Sequence, residues 1–364
     1  MKTERRYDID WLRVIAIGFL LIYHIAIIFQ PWAMFLAFVR SNELLEGLWK
    51  PMTMLNVWRI PLLFYVSGMG LFFALKKRNA KQLLLERSKR ILIPFLFGCV
   101  AIVPLHMYIF QKFYNMPLSY YVHTGHLWFL GNIFIYVILW CPLFFYLKKH
   151  PENRLKSFLN KLLAHPLGPI ALSLLMMAEV VVVQPDVYAL YAQTWHGFFL
   201  GLFAFLLGFL FVYSGATFWN TLLKWKWMYL ILACTLFGVR YTIFQTEAPG
   251  YLMSMESSVW IYAFLGLAYQ YLNKPSAILS YLSKAAYPVY IIHMLVLYLG
   301  GLFILPLAIP AFVQFICITI FTFLGCLVLY EFMIRRVSFL RPLFGLDWKK
   351  TRTTESVVDT EASL

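Results

Sequence analysis

The 364-residue sequence has few charged residues. Only 13% are Asp, Glu, Lys or Arg, whereas a soluble domain carries roughly 25%. Hydrophobic residues make up 62% of the chain and aromatic residues 19%. A soluble core of this length cannot bury so much apolar surface, so the shortage of charge excludes an ordinary soluble protein. We expect the lipid bilayer to be the solvent for most of the chain.

Several familiar catalytic and metal-binding patterns are also missing. There is no Gly-x-Ser-x-Gly elbow and no evident catalytic cysteine. The five cysteines lack metal-ligand spacing, and their odd number argues against a disulfide framework, so we expect neither a metal site nor structural disulfides. The absence of an internal repeat slightly disfavours the inverted-repeat transporter folds.

Long apolar runs fill most of the sequence. A membrane span needs about 20 mostly apolar residues, and lipid-embedded backbone must satisfy its own hydrogen bonds, so these runs should be helices. The pattern predicts an all-α polytopic membrane protein with about ten transmembrane helices. The predicted spans are residues 10–30, 55–75, 91–110, 127–147, 168–184, 196–213, 227–244, 256–272, 286–305 and 311–333.

The basic residues alternate from one side of the predicted bundle to the other. If the N-terminus is cytoplasmic, 25 of the 31 Lys and Arg residues fall on cytoplasmic flanks. This distribution follows the positive-inside rule, so we expect both termini to be cytoplasmic. The net charge of +15 therefore indicates topology rather than nucleic-acid binding. The polar segment 346–364 should be a disordered cytoplasmic tail.

The first predicted span carries two residues that lipid disfavours, Arg13 and His24. They are eleven residues apart, which is three helical turns plus about 20°, so both project from one face. Their separation along the axis is about 16 Å. Arg13 could instead snorkel to the cytoplasmic surface, and His24 could simply bond a neighbouring helix.

Other ionisable residues inside the spans lie mostly in the outer half. Such residues are costly in lipid and mark functional sites by default, so we expect an outward-opening polar chamber. The in-span ionisable residues are Arg13, His24, Arg59, His106, Glu179, His196, Arg240, Glu256 and His293.

A pair of arginines precedes the third predicted span in ERSKRILIP, residues 86–94. Arg87 and Arg90 are three residues apart and should share a helix face, where both could hold phosphate oxygens. Topological anchoring is the alternative, and it is favoured when the pair is taken alone.

Three further motifs contribute candidate residues. GHLWFLGN, residues 125–132, places His126 and Trp128 at the outer interface, where Trp128 could also belong to an aromatic belt. Arg59 lies at the outer end of WRIPLLFYVSG, residues 58–68, whose Ser-Gly pair favours close helix packing. Tyr290 and His293 are neighbours on one helix face near the bilayer centre.

Taken in order along the chain, these motifs resemble the acyltransferase-3 family of integral-membrane acyltransferases. The resemblance covers roughly residues 5–345 and defines one transmembrane domain, residues 1–345. Within the family, HLWFL, Arg240-Tyr241, the segment beginning at Glu256, and LYEFMIR at 329–335 are similar to the glucan biosynthesis protein C group, which is implicated in succinylating periplasmic glucans. Some members of the family carry a fused extracytoplasmic hydrolase-like domain. We expect none here, so the membrane domain should either suffice or pass the acyl group to a separate periplasmic partner.

The resemblance implies transfer of an acetyl or succinyl group from cytoplasmic acyl-CoA to a hydroxyl of an extracytoplasmic glycan or related envelope acceptor. Arg13, Arg87 and Arg90 would bind the donor's phosphates. His24 would be the general base, since imidazole titrates near neutral pH.

In the mechanism that the resemblance implies, the remaining candidate residues have supporting roles. Glu256 would orient the base or the acceptor, and Arg240 or Arg59 would stabilise the oxyanion or bind a succinyl carboxylate. The outer residues would contact substrate, and a covalent acyl-histidine stays open as an alternative to direct transfer. The substrate-binding candidates are Arg59, His126, Trp128, Tyr290 and His293.

Two other function classes fit part of the sequence. A transporter or flippase for a polar or anionic envelope precursor would also have about ten helices and in-span charges, but it requires neither the arginine pair nor the Arg13–His24 face. A scaffold for an envelope-polymer synthase would leave the in-span charges unexplained. The resemblance also implies a multi-pass location in a bacterial inner membrane.

Overall fold

The computed structural model describes residues 5–245 and 247–348. The structure is 78% helical, and the described ranges contain no strand, which confirms the predicted all-α class. The helices are α1 (Tyr7–Ile27), α2 (Trp49–Leu75), α3 (Ala80–Arg87), α4 (Ile93–Phe97), α5 (Val103–Phe113), α6 (Trp128–Lys149), α7 (Arg154–Leu163), α8 (Leu167–Val183), α9 (Trp195–Tyr213), α10 (Ala216–Ile243), α11 (Gly250–Tyr271), α12 (Ala277–Ile304), α13 (Ala311–Leu329) and α14 (Leu340–Leu343).

Fewer helices qualify as membrane spans than the ten predicted from the sequence. Within the described residues, eight helices are long and apolar enough to cross a membrane, or nine if α7 and α8, which meet at a 113° bend, form one span. The eighth predicted run, residues 256–272, corresponds to α11, which is not among the spans that qualify. Its 22 residues are long enough, but the polar segment around Glu256 lowers its mean hydropathy.

The third span is longer and less regular than predicted. It runs from Ala80 to Phe113 and contains two π-helical turns, Ser88–Leu92 and Gly98–Ile102. Pro94 and Pro104 follow these turns, and because proline cannot donate the backbone hydrogen bond of an α-helix, the local bonding pattern is disturbed beside each one. Arg87 and Arg90 therefore lie within this helical segment rather than before it.

Helices α2 and α9 are packed backbone to backbone. A Cβ atom on Gly68 would lie 1.9 Å from the carbonyl oxygen of Phe205, and one on Gly208 would lie 2.1 Å from that of Tyr65. Only glycine fits at such an approach. The Ser-Gly pair of the FYVSG motif thus serves close helix packing, the structural alternative noted for it.

The centre of the bundle is formed by α1, which contacts α2, α11, α12 and α13. Helices α10 and α13 are more peripheral. Only 17% of the most apolar 18-residue segment of α10 is buried inside the protein, and only 22% of that of α13. The start of the predicted tail is packed against the bundle, because Asp347 lies 3.3 Å from Arg90. Residues 349–364 of that tail lie outside the described residues.

Candidate active site

A large cavity opens at the end of the bundle where α1 begins. Its volume is about 1070 Å³, which is ample for a bound small molecule. Eight basic side chains line it but only two acidic ones, Asp10 and Asp347, so the cavity favours anions. The basic lining residues are Arg5, Arg6, Arg13, Arg87, Arg90, Lys284, Arg335 and Arg341.

The three arginines predicted to bind a donor all line this cavity. Arg13 is paired with Asp10 at 3.4 Å, and Glu86 lies 3.1 Å from both Arg87 and Arg90. The pairing of Arg87 with its chain neighbour lacks hydrogen-bond geometry, so the Nε–H of Arg87 has no hydrogen-bond partner. These part-exposed pairs are weak and can give way to a phosphate, which arginine binds more strongly.

Four histidines form a cluster deeper in the bundle, where His24 of α1 contacts His293 of α12. The Nδ1 atom of His24 lies 2.9 Å from Nε2 of His293, and the two rings stack almost parallel. His126 lies edge-on to His293, with ring centroids 4.9 Å apart. His106, an in-span histidine that belongs to none of the sequence motifs, completes the cluster, with its ring centroid 5.7 Å from that of His126.

The cavity stops short of this histidine cluster. Its deep wall includes Ile17, Phe129 and Tyr290. Ile17 precedes His24 by two helical turns, or about 10 Å along the axis. Tyr290 links the two regions, because its ring lines the cavity while its carbonyl oxygen lies 2.6 Å from Nδ1 of His293.

The predicted substrate-binding residues of the outer half take different positions. His126 donates from Nε2 to the carbonyl of Ile291 at 3.1 Å, and its own carbonyl accepts from the hydroxyl of Tyr290. Trp128 is separate from the cluster and packs against Phe64, with ring centroids 6.2 Å apart. The prediction that His293 contacts substrate does not fit, because the residue is 0% exposed and both ring nitrogens have partners.

Among the described residues, the buried Arg59 has no counter-ion. It is 2% exposed, and its guanidinium lies over the ring of Tyr23, 4.0 Å from the ring centroid. One long contact of 3.4 Å joins it to Asn56, and its Nε and Nη1 atoms have no hydrogen-bond partner. Tyr23 directly precedes His24 in the chain, and the two rings are in contact. The ring of Tyr23 therefore lies between the Arg59 guanidinium and the histidine cluster.

Arg240 and Glu256 pair with each other rather than with His24. The Nε atom of Arg240 donates to Oε2 of Glu256 at 2.6 Å, and Nη2 donates to Oε1 at 2.9 Å. Arg240 also donates to the carbonyl of Thr53 at 3.2 Å. The predictions that Glu256 orients the base and that Arg240 binds an anion therefore do not fit, because their charges neutralise each other between α10 and α11.

A second buried pair, joined by a hydrogen bond, connects α8 to α9. Nδ1 of His196 lies 3.0 Å from Oε1 of Glu179, and both side chains are 1% exposed. The rings of Tyr188 and Tyr191 pack against His196, and Tyr191 donates to the carbonyl of Val57 at 3.1 Å. This pair holds the connection between α8 and α9 against α2.

No metal site is evident in the part of the chain that the structure describes. Those residues include no group of three or more His, Cys, Asp or Glu side chains that could hold a metal ion. The clustered imidazoles contact one another and backbone carbonyls instead.

One comparison with known proteins gives a match. The family model Acyl_transf_3, described as an acyltransferase domain, matches residues 6–331. Neither a curated protein nor a solved structure matches the chain. The matched segment contains Arg13, Arg87 and Arg90 of the cavity and the whole histidine cluster.

Removing the charge of Glu256 should destabilise the protein. The Glu256→Gln substitution leaves Arg240 as a buried cation without its carboxylate, and breaking a buried pair in this way costs about 3–5 kcal/mol. We expect a clearly lower melting temperature of the purified protein in detergent, measured by a thermal-shift assay.

The matched control is Glu152→Gln. Glu152 pairs with Lys156 on the surface, where its side chain is 82% exposed, so this variant should melt close to the wild type. Equal melting temperatures for the two variants would contradict a structural role for the Arg240–Glu256 pair.

Proposed function

The chain belongs to the acyltransferase-3 family, and from this we propose that it transfers an acyl group from cytoplasmic acyl-CoA to a hydroxyl of an extracytoplasmic envelope glycan or related acceptor. Family membership makes it a membrane acyltransferase. The donor, the acceptor and the histidine base are parts of the proposal. The observation that carries them is the basic cavity that leads toward a buried imidazole cluster.

The cavity supports an acyl-CoA donor through its charge and its size. Coenzyme A carries several phosphate groups at one end and a thioester at the other. Arg13, Arg87 and Arg90 would hold the phosphates at the cavity mouth, because guanidinium groups form bidentate bonds with phosphate oxygens. The long pantetheine arm would extend along α1 toward His24, passing between Ile17 and Tyr290.

His24 would act as the general base. Its Nε2 atom would accept the proton of an acceptor hydroxyl while the hydroxyl oxygen forms a bond to the thioester carbon. The carbon–sulfur bond then breaks, and the coenzyme A thiolate takes the proton from His24. The partial exposure of His24 supports this role, since a base must reach the hydroxyl that it deprotonates.

Arg59 supports a donor whose acyl group carries a carboxylate, such as succinyl. A buried cation without a counter-ion is costly, and no carboxylate among the described residues pairs with it. An acyl group whose carbonyl lies at His24 could place a terminal carboxylate against this guanidinium. Arg240 is not suited to that task, because Glu256 already occupies it.

The acceptor would approach from the side opposite the cavity mouth. His24 and Arg59 lie toward the ends of α1 and α2 that the positive-inside pattern assigns to the outside. We therefore infer an envelope acceptor and an inner-membrane location. A separate periplasmic protein could receive the group and pass it on.

The central test is thiol release by the purified protein in lipid nanodiscs. With acetyl-CoA or succinyl-CoA and a crude envelope-glycan fraction, we expect the wild type to release coenzyme A. His24→Ala should lower the turnover number by about 10²–10⁴-fold, which is the usual contribution of a general base.

The control is the same assay without the glycan fraction, which separates transfer from slow hydrolysis of the donor. Wild-type turnover retained in His24→Ala would remove the centre of the mechanism. Release that does not depend on any added acceptor would argue against a glycan.

The second test measures donor binding. Arg87→Ala/Arg90→Ala removes two phosphate contacts, each worth about 1.5–3 kcal/mol for a hydrogen bond to a charged group. We expect the dissociation constant for acetyl-CoA to rise by about 10²-fold or more, measured by calorimetry in nanodiscs.

A matched variant, Lys149→Ala/Arg336→Ala, removes the same charge from residues that do not line the cavity. It should bind acetyl-CoA nearly as well as the wild type. Equal weakening in the two double variants would indicate a general effect of charge rather than a phosphate site.

The third test concerns the acyl group. Arg59→Met removes the unpaired cation with a side chain of similar length, so the protein should still fold. Turnover with succinyl-CoA should fall by about 10-fold or more relative to turnover with acetyl-CoA, since a charged hydrogen bond is lost. An equal fall with both donors would assign Arg59 to the oxyanion instead, and unchanged rates would remove it from the site.

A further inference from the structure

The hydrogen bonds of His293 determine where its own proton lies. Its Nδ1 atom is 2.6 Å from the carbonyl oxygen of Tyr290. A carbonyl oxygen only accepts hydrogen bonds, so Nδ1 of His293 must carry a hydrogen. The other ring nitrogen, Nε2, faces Nδ1 of His24 at 2.9 Å.

The proton on His293 in turn determines the proton on His24. A neutral imidazole carries a single N–H, so Nε2 of His293 is an acceptor and Nδ1 of His24 must be the donor. A doubly protonated His293 would instead be a charge at a site that is 0% exposed, and the described residues provide no carboxylate beside it. The lone pair of His24 is therefore left on Nε2.

We propose that His293 is a positioning residue that holds His24 in the tautomer with its hydrogen on Nδ1. This inference rests on the proposed function, in which Nε2 of His24 is the base. The bond from His24 to His293 leaves no alternative tautomer that keeps both hydrogen bonds. It also fixes the orientation of the ring, because the two imidazoles stack with an interplanar angle of 4°.

The same bond would stabilise the protonated base. When Nε2 of His24 takes the proton of the acceptor hydroxyl, the ring becomes an imidazolium. Its Nδ1–H···Nε2 bond to His293 becomes charge-assisted and stronger. His293 itself gains no proton, and the proton on Nε2 leaves with the coenzyme A thiolate.

Two substitutions of His293 test the role of its acceptor atom, Nε2, separately from the role of the rest of its side chain. The amide oxygen of a glutamine can reach the place of Nε2, so His293→Gln keeps an acceptor for His24. The shorter amide of an asparagine reaches only the place of Nδ1. His293→Asn can therefore still donate to Tyr290 but offers no acceptor to His24.

The direct test is nitrogen NMR of the histidine side chains, recorded by magic-angle spinning on the full-length protein in lipid. The protein has eight histidines, so the signals of His24 are assigned by their absence from His24→Ala. We expect a protonated Nδ1 and an unprotonated Nε2 for His24 in the wild type and in His293→Gln. The opposite tautomer should appear in His293→Asn.

Turnover provides the second readout. His293→Asn should lower the turnover number for thiol release by about 10²–10⁴-fold, because the lone pair of the base is misplaced. The Michaelis constant for the donor should not change, since His293 lies outside the cavity. His293→Gln should recover most of the turnover.

The outcomes distinguish this inference from the proposed function. Activity retained in His24→Ala would overturn the proposed function itself. An inactive His24→Ala together with a fully active His293→Asn would overturn only the positioning role. A wild-type His24 with its hydrogen on Nε2, or a tautomer that His293→Asn does not change, would overturn it as well.

Discussion

A polar group inside a lipid-embedded bundle must find its hydrogen-bond partner within the protein, because neither lipid nor bulk water can supply one. This constraint accounts for the main polar contacts of the structure. Arg240 is paired with Glu256, and His196 is paired with Glu179. Each pair joins two helices, so the groups that lipid disfavours also fasten the bundle together.

The same constraint marks the residues that are left for chemistry. Arg59 stands out because it is buried and no described carboxylate neutralises its charge. A bound anion would stabilise such an arrangement. His24 stands out because, in the described part of the chain, only one of its ring nitrogens has a hydrogen-bond partner. A base must keep one nitrogen for its substrate, and an anion site must keep its charge uncompensated until the anion binds.

Helix α1 connects the two ends of the site. Arg13 lies at the cavity and His24 at the imidazole cluster, and an uninterrupted helix holds them at a fixed separation of about 16 Å. Close packing of α2 against α9 at Gly68 and Gly208 supports the neighbouring wall. The cavity and the base can therefore keep their spacing while a donor arm passes Tyr290.

The sequence by itself determined the fold class and the kind of residue at the site. Apolar run length and the helical period are local properties, so the helices and the shared face of Arg13 and His24 could be read from the chain. Even so, ten predicted spans became eight or nine, because the polar segment of α11 lowers its mean hydropathy and because α7 and α8 meet at a 113° bend.

Only the tertiary structure decided which polar residues become partners. His24 and His293 are 269 positions apart, and no local pattern indicates that they meet. Glu256 was a plausible partner for the base until the structure placed Arg240 against it, and His106 had no motif that would have assigned it to the cluster. Partner choice depends on distances between helices, and hydropathy and periodicity contain no information about those distances.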